Sequence, residues 1–152
     1  MRAREYFEGL RLSVKELVEM EDRVATLNVS ATSPRAQGQE PSGGGARTHP
    51  MADRTIDAEL ELERMRAHLM PDLDHACRVL YGASGRGGVA EVCGSASADA
   101  VHGYYLQAMS WQEVADELVR PDSKDGAHWC RNRACAAMRC VDEVGMARLV
   151  DS

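Results

Sequence analysis

The sequence predicts an all-α protein, and three observations support this class. The apolar 44% of the 152 residues is mostly Ala, Val, Leu and Met, and aromatic residues make up only 5%. This composition is typical of helical proteins, whereas a β-sandwich would contain more isoleucine and tyrosine. Ile56 is the only isoleucine, and apolar residues recur at spacings of three and four over two long segments. The expected architecture is a long N-terminal helical hairpin followed by a C-terminal helix-turn-helix.

The hairpin is predicted over residues 1–81. Its first amphipathic pattern covers residues 4–27, with a coiled-coil-like seam formed by Phe7, Leu10, Val14, Leu17, Val24 and Leu27. A second pattern of the same spacing starts near Met51 and continues to Leu80, and Pro71 predicts a kink or short break within it. A seam of this length allows homo-oligomers through the N-terminal helices, and pairing within one chain or between chains stays open.

Residues 28–50 are predicted to be a flexible loop within the hairpin. This segment contains four Gly, three Pro and five Ser or Thr, and Val29 is its only large apolar residue. It cannot bury a core of its own. A connector at residues 82–95 then follows, because the glycines of residues 82–88 end the second helix. These glycines lack the Gly-Lys-Ser/Thr ending of a phosphate-binding loop, and no strand precedes them.

Three further helices are predicted in the C-terminal domain, residues 96–148. They cover about 97–109, 110–119 and 125–144. Ser110 is a suitable N-cap for the middle helix, and Glu113 stands three residues later, where it would complete a capping box.

The last two of these helices have the pattern of a helix-turn-helix. That motif needs a small residue where its two helices cross. Ala115 can supply it, and the apolar Val114 and Leu118 stand on either side of it in the sequence. The second helix needs one apolar stripe, which Cys130, Ala134, Ala137, Met138 and Val141 can supply. Its opposite face is basic, because residues 126–141 contain three arginines and a histidine but no acid. An ordinary three-helix packing unit with solvated arginines would show the same periodicity.

The run from Tyr104 to Leu118, which reads Tyr-Tyr-Leu-x-x-Met-Ser-Trp-x-Glu-Val-Ala-x-x-Leu, and the later Arg-x-Arg-Ala-x-x-Ala-Met run resemble region 4 of sigma-70 factors. The chain is more closely similar to small phage and prophage transcription regulators of the ArpU and RinA late-gene activator group. That group also carries a long N-terminal helix, a Gly/Ser-rich connection and a second long helix. The turn at residues 119–126 is several residues longer than the family's.

The resemblance implies a sequence-specific regulator of phage or prophage late genes that binds double-stranded DNA, with RNA polymerase as a further partner. The DNA-contacting side chains expected at the exposed start and along the face of the last long helix are Lys124, His128, Arg131, Asn132 and Arg139. Arg133 falls where the family has an apolar residue. Either Trp129 packs inward in its place or Arg133 extends its head out of the core, so which of the two faces DNA stays open.

Other function classes have less support in the sequence. Carboxylates such as Asp72 and Asp74 have no nucleophile or histidine pattern beside them, so we expect no enzyme and no cofactor. Cys130, Cys135 and Cys140 recur every five residues and therefore point in different directions on a helix, which argues against a metal site. The odd number of cysteines and the absence of a long apolar run predict a cytoplasmic protein of a bacterial host cell without a membrane partner.

Two alternative functions stay open at this point. A small-terminase-like DNA-packaging subunit would also combine a helix-turn-helix with a helical oligomerisation segment. The second alternative is a helical interaction module that binds RNA polymerase or another protein through the acidic hairpin, without DNA.

Overall fold

The computed structural model describes residues 1–32, 50–119 and 125–152, and every regular element in these ranges is helical. The predicted all-α class is therefore confirmed. The elements are α1 (Ala3–Thr32), α2 (Pro50–Tyr81), α3 (Gly88–Cys93), α4 (Ser95–Val101), a π-helical turn (His102–Leu106), α5 (Trp111–Leu118), α6 (Gly126–Val144) and α7 (Met146–Asp151). Most of the predicted loop, residues 33–49, lies outside the described residues.

The chain divides into two compact units, of which the first combines two segments that are distant in sequence. Unit 1 contains residues 1–14 and 69–152, and unit 2 contains residues 15–68. The start of the first hairpin helix and the end of the second thus belong to the same unit as the C-terminal helices. Limits at residues 81 and 95, as boundaries of independently folding domains, stay predictions.

Unit 2 consists of the C-terminal part of α1 and the N-terminal part of α2. The side chains of Val24 and Leu62 are buried in it, and the Arg66 guanidinium lies 3.3 Å from a carboxylate oxygen of Glu21. That ion pair is exposed, so it contributes little to stability. Apolar burial is the main stabilising term of this unit.

Both long helices differ in detail from the sequence prediction. Helix α1 continues to Thr32, so the first residues of the predicted loop are helical; none of residues 28–32 is Gly or Pro, the residues that most strongly end a helix. Helix α2 is unbroken through Pro71, so the short break, one of the two predicted alternatives, does not occur, and the kink stays a prediction. Pro71 and Ala67 are both exposed, and the Ala67 carbonyl that loses its helical partner can therefore bind water.

The glycine segment after α2 ends the helix as predicted. Gly82 has φ of 75° and its amide donates to the Arg78 carbonyl at 2.7 Å, which closes the last turn of α2. Gly88 has φ of 65°, and a Cβ atom there would lie 2.5 Å from the carbonyl oxygen of Val79. The chain can turn into α3 this closely only because position 88 has no side chain.

A polar contact joins α2 to α4 within unit 1. The Tyr81 hydroxyl donates to Asp99 Oδ1 at 2.6 Å, and the Tyr81 and His102 rings meet edge to face with centroids 6.1 Å apart. Burial raises the pKa of Tyr81 and lowers that of His102. Both side chains are therefore neutral at neutral pH. We interpret their contact as structural, because it joins the end of α2 to α4 and the π-helical turn.

The core of unit 1 draws on every one of its segments. Side chains that are at most 1% exposed include Phe7 of α1, Val79 and Leu80 of α2, Val89 of α3, Val101 of α4, Val114 of α5 and Leu149 of α7. Helix α7 is absent from the sequence prediction. Gly145, with φ of 92°, ends α6 and lets α7 turn back so that Leu149 enters the core.

The predicted helix ending near Met109 is replaced by α4 and a π-helical turn. The Gln107 amide donates to the His102 carbonyl at 3.1 Å, and Ala108 has a left-handed φ of 54°. The Arg11 guanidinium of α1 donates to the carbonyls of Tyr104 and Met109, the latter at 2.9 Å. Arg11 thus satisfies carbonyls that a regular helix would have paired, which allows the widened turn.

Ser110 is the N-cap of α5, as predicted. Its hydroxyl oxygen accepts from the Glu113 amide at 3.2 Å, and the Glu113 side-chain oxygen lies 3.1 Å from the same hydroxyl. The Ser110 backbone is extended, with φ of −73° and ψ of 161°, as N-cap residues usually are.

We expect Ser110→Ala to lower the free energy of unfolding by about 1 kcal/mol, because it removes the oxygen that accepts from the Glu113 amide. Ser110→Asp keeps an acceptor at this position and should unfold close to the wild type. Urea titrations followed by tryptophan fluorescence would measure both. Equal losses in the two variants would show that the cap does not stabilise α5.

Candidate nucleic-acid interface

Helix α5 packs against α6 through small and branched side chains. Ala115 is 2% exposed and Val114 is 1% exposed, whereas Leu118 is half-buried. Gly103 also brings the π-helical turn close to α5, because a Cβ atom there would lie 3.1 Å from Val114 Cγ2. The small residue predicted for the close helix contact is thus buried, and a glycine provides a second close approach.

Helix α6 has the predicted apolar stripe. Cys130, Ala134, Ala137, Met138 and Val141 are all at most 5% exposed. Cys140 is buried as well, which widens the stripe beyond the prediction. With one side committed to the core, the orientation of the exposed side chains of α6 is determined by packing.

The described members of the predicted DNA-contacting set are exposed on α6: His128, Arg131, Asn132 and Arg139. Lys124 lies outside the described residues. At about 100° per residue, His128, Asn132 and Arg139 fall within about 40° of one another around the helix. Arg131 lies about 60° to one side of His128. The row extends over twelve residues, from His128 to Arg139, or about 16 Å along the helix axis.

Trp129 and Arg133, the two residues of which either was predicted to face DNA, are both at the surface. Trp129 is 38% exposed, so it does not pack inward, and Cys130 occupies the core position beside it with no exposure. The Arg133 guanidinium carbon lies 5.0 Å from the centroid of the Trp129 ring. Because that distance is within cation–π range, Arg133 and Trp129 form one exposed pair beside the row of polar residues.

The exposed face of α6 is cationic over its first sixteen residues. Residues 126–141 contain no acid, and Asp142, the first carboxylate after them, accepts a hydrogen bond from the Ala3 amide at 2.9 Å. This carboxylate caps the start of α1, where the helix dipole favours negative charge. Its charge is thus directed at α1.

Two arginines near this face were missed by the sequence analysis. Arg4 and Arg11 of α1 line a cavity together with Arg131 of α6, all within unit 1. Arg4 is more than 120 positions from Arg131, and both arginines of α1 fit an ordinary amphipathic pattern. No local motif marks them, so only the packing of α1 against the C-terminal helices reveals the cluster.

The cysteines of α6 do not gather into a metal centre. In the described ranges no group of three or more His, Cys, Asp or Glu side chains is arranged to hold a metal ion. Burial raises the pKa of Cys130, and burial together with a hydrogen bond between Cys140 and Cys93 raises that of Cys140 to about 12. The two thiols are therefore protonated at neutral pH.

Comparisons of the chain with protein-family models, with curated proteins and with solved structures find no match. Among the helices of the described residues, none combines the length and apolarity that crossing a membrane requires. Support for a function therefore comes from the residues on α5 and α6.

Proposed function

We propose that the protein is a sequence-specific DNA-binding transcription regulator, in which α5 and α6 form a helix-turn-helix and α6 enters the major groove. One observation carries the proposal. Helix α6 buries a continuous apolar stripe, and its opposite face presents His128, Asn132 and Arg139 in a row free of acidic residues. A recognition helix needs this division, since one face must hold its position and the other must reach bases and phosphates.

The residue types on this face suit base recognition. An arginine pairs in bidentate fashion with guanine, and an asparagine does so with adenine, in the major groove. Arg131 and Asn132 lie in the first two turns of α6, the part of a recognition helix that contacts base edges. Arg139 is two turns further along, where we propose that it contacts a phosphate.

The biological context in this proposal rests on the resemblance to phage and prophage late-gene activators. The genes controlled would be phage or prophage late genes, and RNA polymerase would be a second partner. Unit 2 supports self-association as part of the same proposal. Its apolar residues Val18, Ile56 and Leu60 are 43%, 54% and 59% exposed, and burying such side chains against another chain would remove apolar surface from water.

The test begins with selection of binding sites for the wild-type chain from a random DNA pool. On the selected site, Arg131→Ala should weaken binding by about 10- to 100-fold, equivalent to about 1 to 3 kcal/mol for one lost base contact. Its melting temperature should stay near that of the wild type, because the Arg131 side chain is exposed. Fluorescence anisotropy titrations beside circular dichroism melts measure the two effects.

Arg148→Ala is the matched control, since Arg148 is exposed and belongs to α7 instead of α6. It should bind the selected site as the wild type does. If the two substitutions weakened DNA binding equally, the effect of Arg131→Ala would come from the loss of one positive charge and not from a lost base contact. Failure of the wild type to enrich any sequence would contradict the proposed function itself.

A further inference from the structure

A cavity of about 380 Å³ lies between the first turns of α1 and the middle of α6, and all its lining residues belong to unit 1. Sites for small molecules usually have volumes of about 300 to 1,000 Å³. This cavity is therefore large enough for a compact organic ligand. A single inorganic anion would leave most of it filled with water.

The charged lining of the cavity is mainly cationic. It includes the three guanidinium groups of Arg4, Arg11 and Arg131 against one carboxylate, Glu8. The ion pairs found among the described residues, Arg64–Glu61 and Arg66–Glu21, involve none of these groups. Arg4 has a single weak contact, at 3.7 Å to Cys135 Sγ, so Arg4 and Arg131 keep donors for a ligand. Their planar guanidinium groups match phosphate oxygens in bidentate fashion.

One wall of the cavity is a rigid aromatic stack. The Tyr104 and Trp111 rings are parallel within 5°, with centroids 3.8 Å apart. The Arg11 guanidinium carbon lies 3.7 Å from the same Tyr104 centroid, and therefore covers the opposite face of that ring. Arg11 also donates to the carbonyls of Tyr104 and Met109. The position of Tyr104 is thus determined from three sides, and a ligand would meet a preorganised surface.

The rest of the lining is apolar. Ala134 and Met138 are buried at the base, and Leu12 lies at the rim with 62% exposure. Burial raises the pKa of Tyr105, another lining residue, so its hydroxyl remains a proton donor at neutral pH. A ligand that fits both parts of the lining has an anionic end and a flat apolar body.

We propose that this cavity is a binding site for a small phosphate monoester with an aromatic body, the chemical class of a nucleoside monophosphate. Arg4 and Arg131 bind the phosphate, and the aromatic body packs on the Trp111 side of the stack and on Met138. The site does not depend on the proposed DNA binding, although Arg131 belongs to both.

Calorimetric titration of the full chain with adenosine 5′-monophosphate and with phenyl phosphate tests this site in the absence of DNA. At least one of the two should bind. Adenosine and inorganic phosphate, which each lack one half of the ligand, should bind at least tenfold more weakly. Absence of binding by both phosphate monoesters would overturn the proposal, as would equal binding of adenosine or of inorganic phosphate.

Substitutions then locate the ligand. Arg4→Gln and Arg131→Gln should each weaken binding at least tenfold, because each removes one guanidinium from the cavity. Arg148→Gln removes an exposed arginine outside the cavity and should leave the affinity unchanged. Circular dichroism melts check that all three variants are folded. Equal weakening by Arg148→Gln would show that general charge, and not this cavity, attracts the ligand.

Discussion

Phe7→Ala is expected to lower the free energy of unfolding of unit 1 by about 3 to 5 kcal/mol. Phe7 has no exposed surface, and its ring centroid lies 5.9 Å from that of Tyr105. Removing the ring leaves a cavity between α1 and the π-helical turn, which the hydrogen bond from Arg11 to the Tyr104 carbonyl also joins to α1. The loss should appear in urea unfolding followed by tryptophan fluorescence, because Trp111 and Trp129 are the two tryptophans of the chain and both belong to unit 1.

Leu12→Ala is the matched control on the same helix. Leu12 is 62% exposed, so this substitution should change the free energy of unfolding by no more than about 0.5 kcal/mol. A fluorescence midpoint that Phe7→Ala left unchanged would show that the first turns of α1 do not belong to the unit containing α5 and α6. The boundary predicted from the sequence, with residues 1–81 apart from the C-terminal domain, would then be supported.

Ala115→Glu is expected to unfold unit 1 at neutral pH. Ala115 is 2% exposed and is followed directly by the exposed carboxylates Asp116 and Glu117 on the other side of α5. A glutamate at position 115 would place an unpaired charge between α5 and α6, at a cost of about 3 to 5 kcal/mol. Because burial disfavours the charged form, acidification toward pH 4 should narrow the gap in stability between this variant and the wild type.

The comparison for this variant is Ala147→Glu, the same chemical change at an exposed position of α7, which belongs to unit 1. It should unfold within about 0.5 kcal/mol of the wild type. The decisive readout is again tryptophan fluorescence against urea concentration. If Ala115→Glu unfolded at the wild-type midpoint, the packing of α5 on α6 would be contradicted, and with it the helix-turn-helix proposal.

Features that depend on local sequence could be predicted well. The apolar stripe of α6 from Cys130 to Val141 follows from a period near 3.6, and burial confirms each predicted member. The N-cap Ser110 is recognisable because its side chain binds an amide only three residues away. The glycines of residues 82–88 end α2 for an equally local reason, the left-handed conformation of Gly82.

Features that depend on distant residues could not be predicted in this way. The widened turn at His102–Leu106 depends on Arg11, more than 90 positions earlier, which donates to the Tyr104 carbonyl within it. The cavity arginines Arg4 and Arg131 are likewise brought together only by tertiary packing. Helix α7 is six residues long, too short for a periodic pattern to establish it.

The hydrogen bond from the Ala3 amide to Asp142 has a consequence for the time course of folding. It joins residues 139 positions apart, whereas helical proteins usually fold fast because their contacts are local. At about 5 to 20 residues per second, the ribosome needs on the order of ten seconds to reach Asp142 after Ala3 has been made. During that interval α1 can form its backbone hydrogen bonds, but Phe7 has no C-terminal helices to pack against. Unit 1 therefore completes its core only after α6 and α7 have been synthesised, and until then the start of α1 is an exposed apolar segment of the kind that chaperones bind.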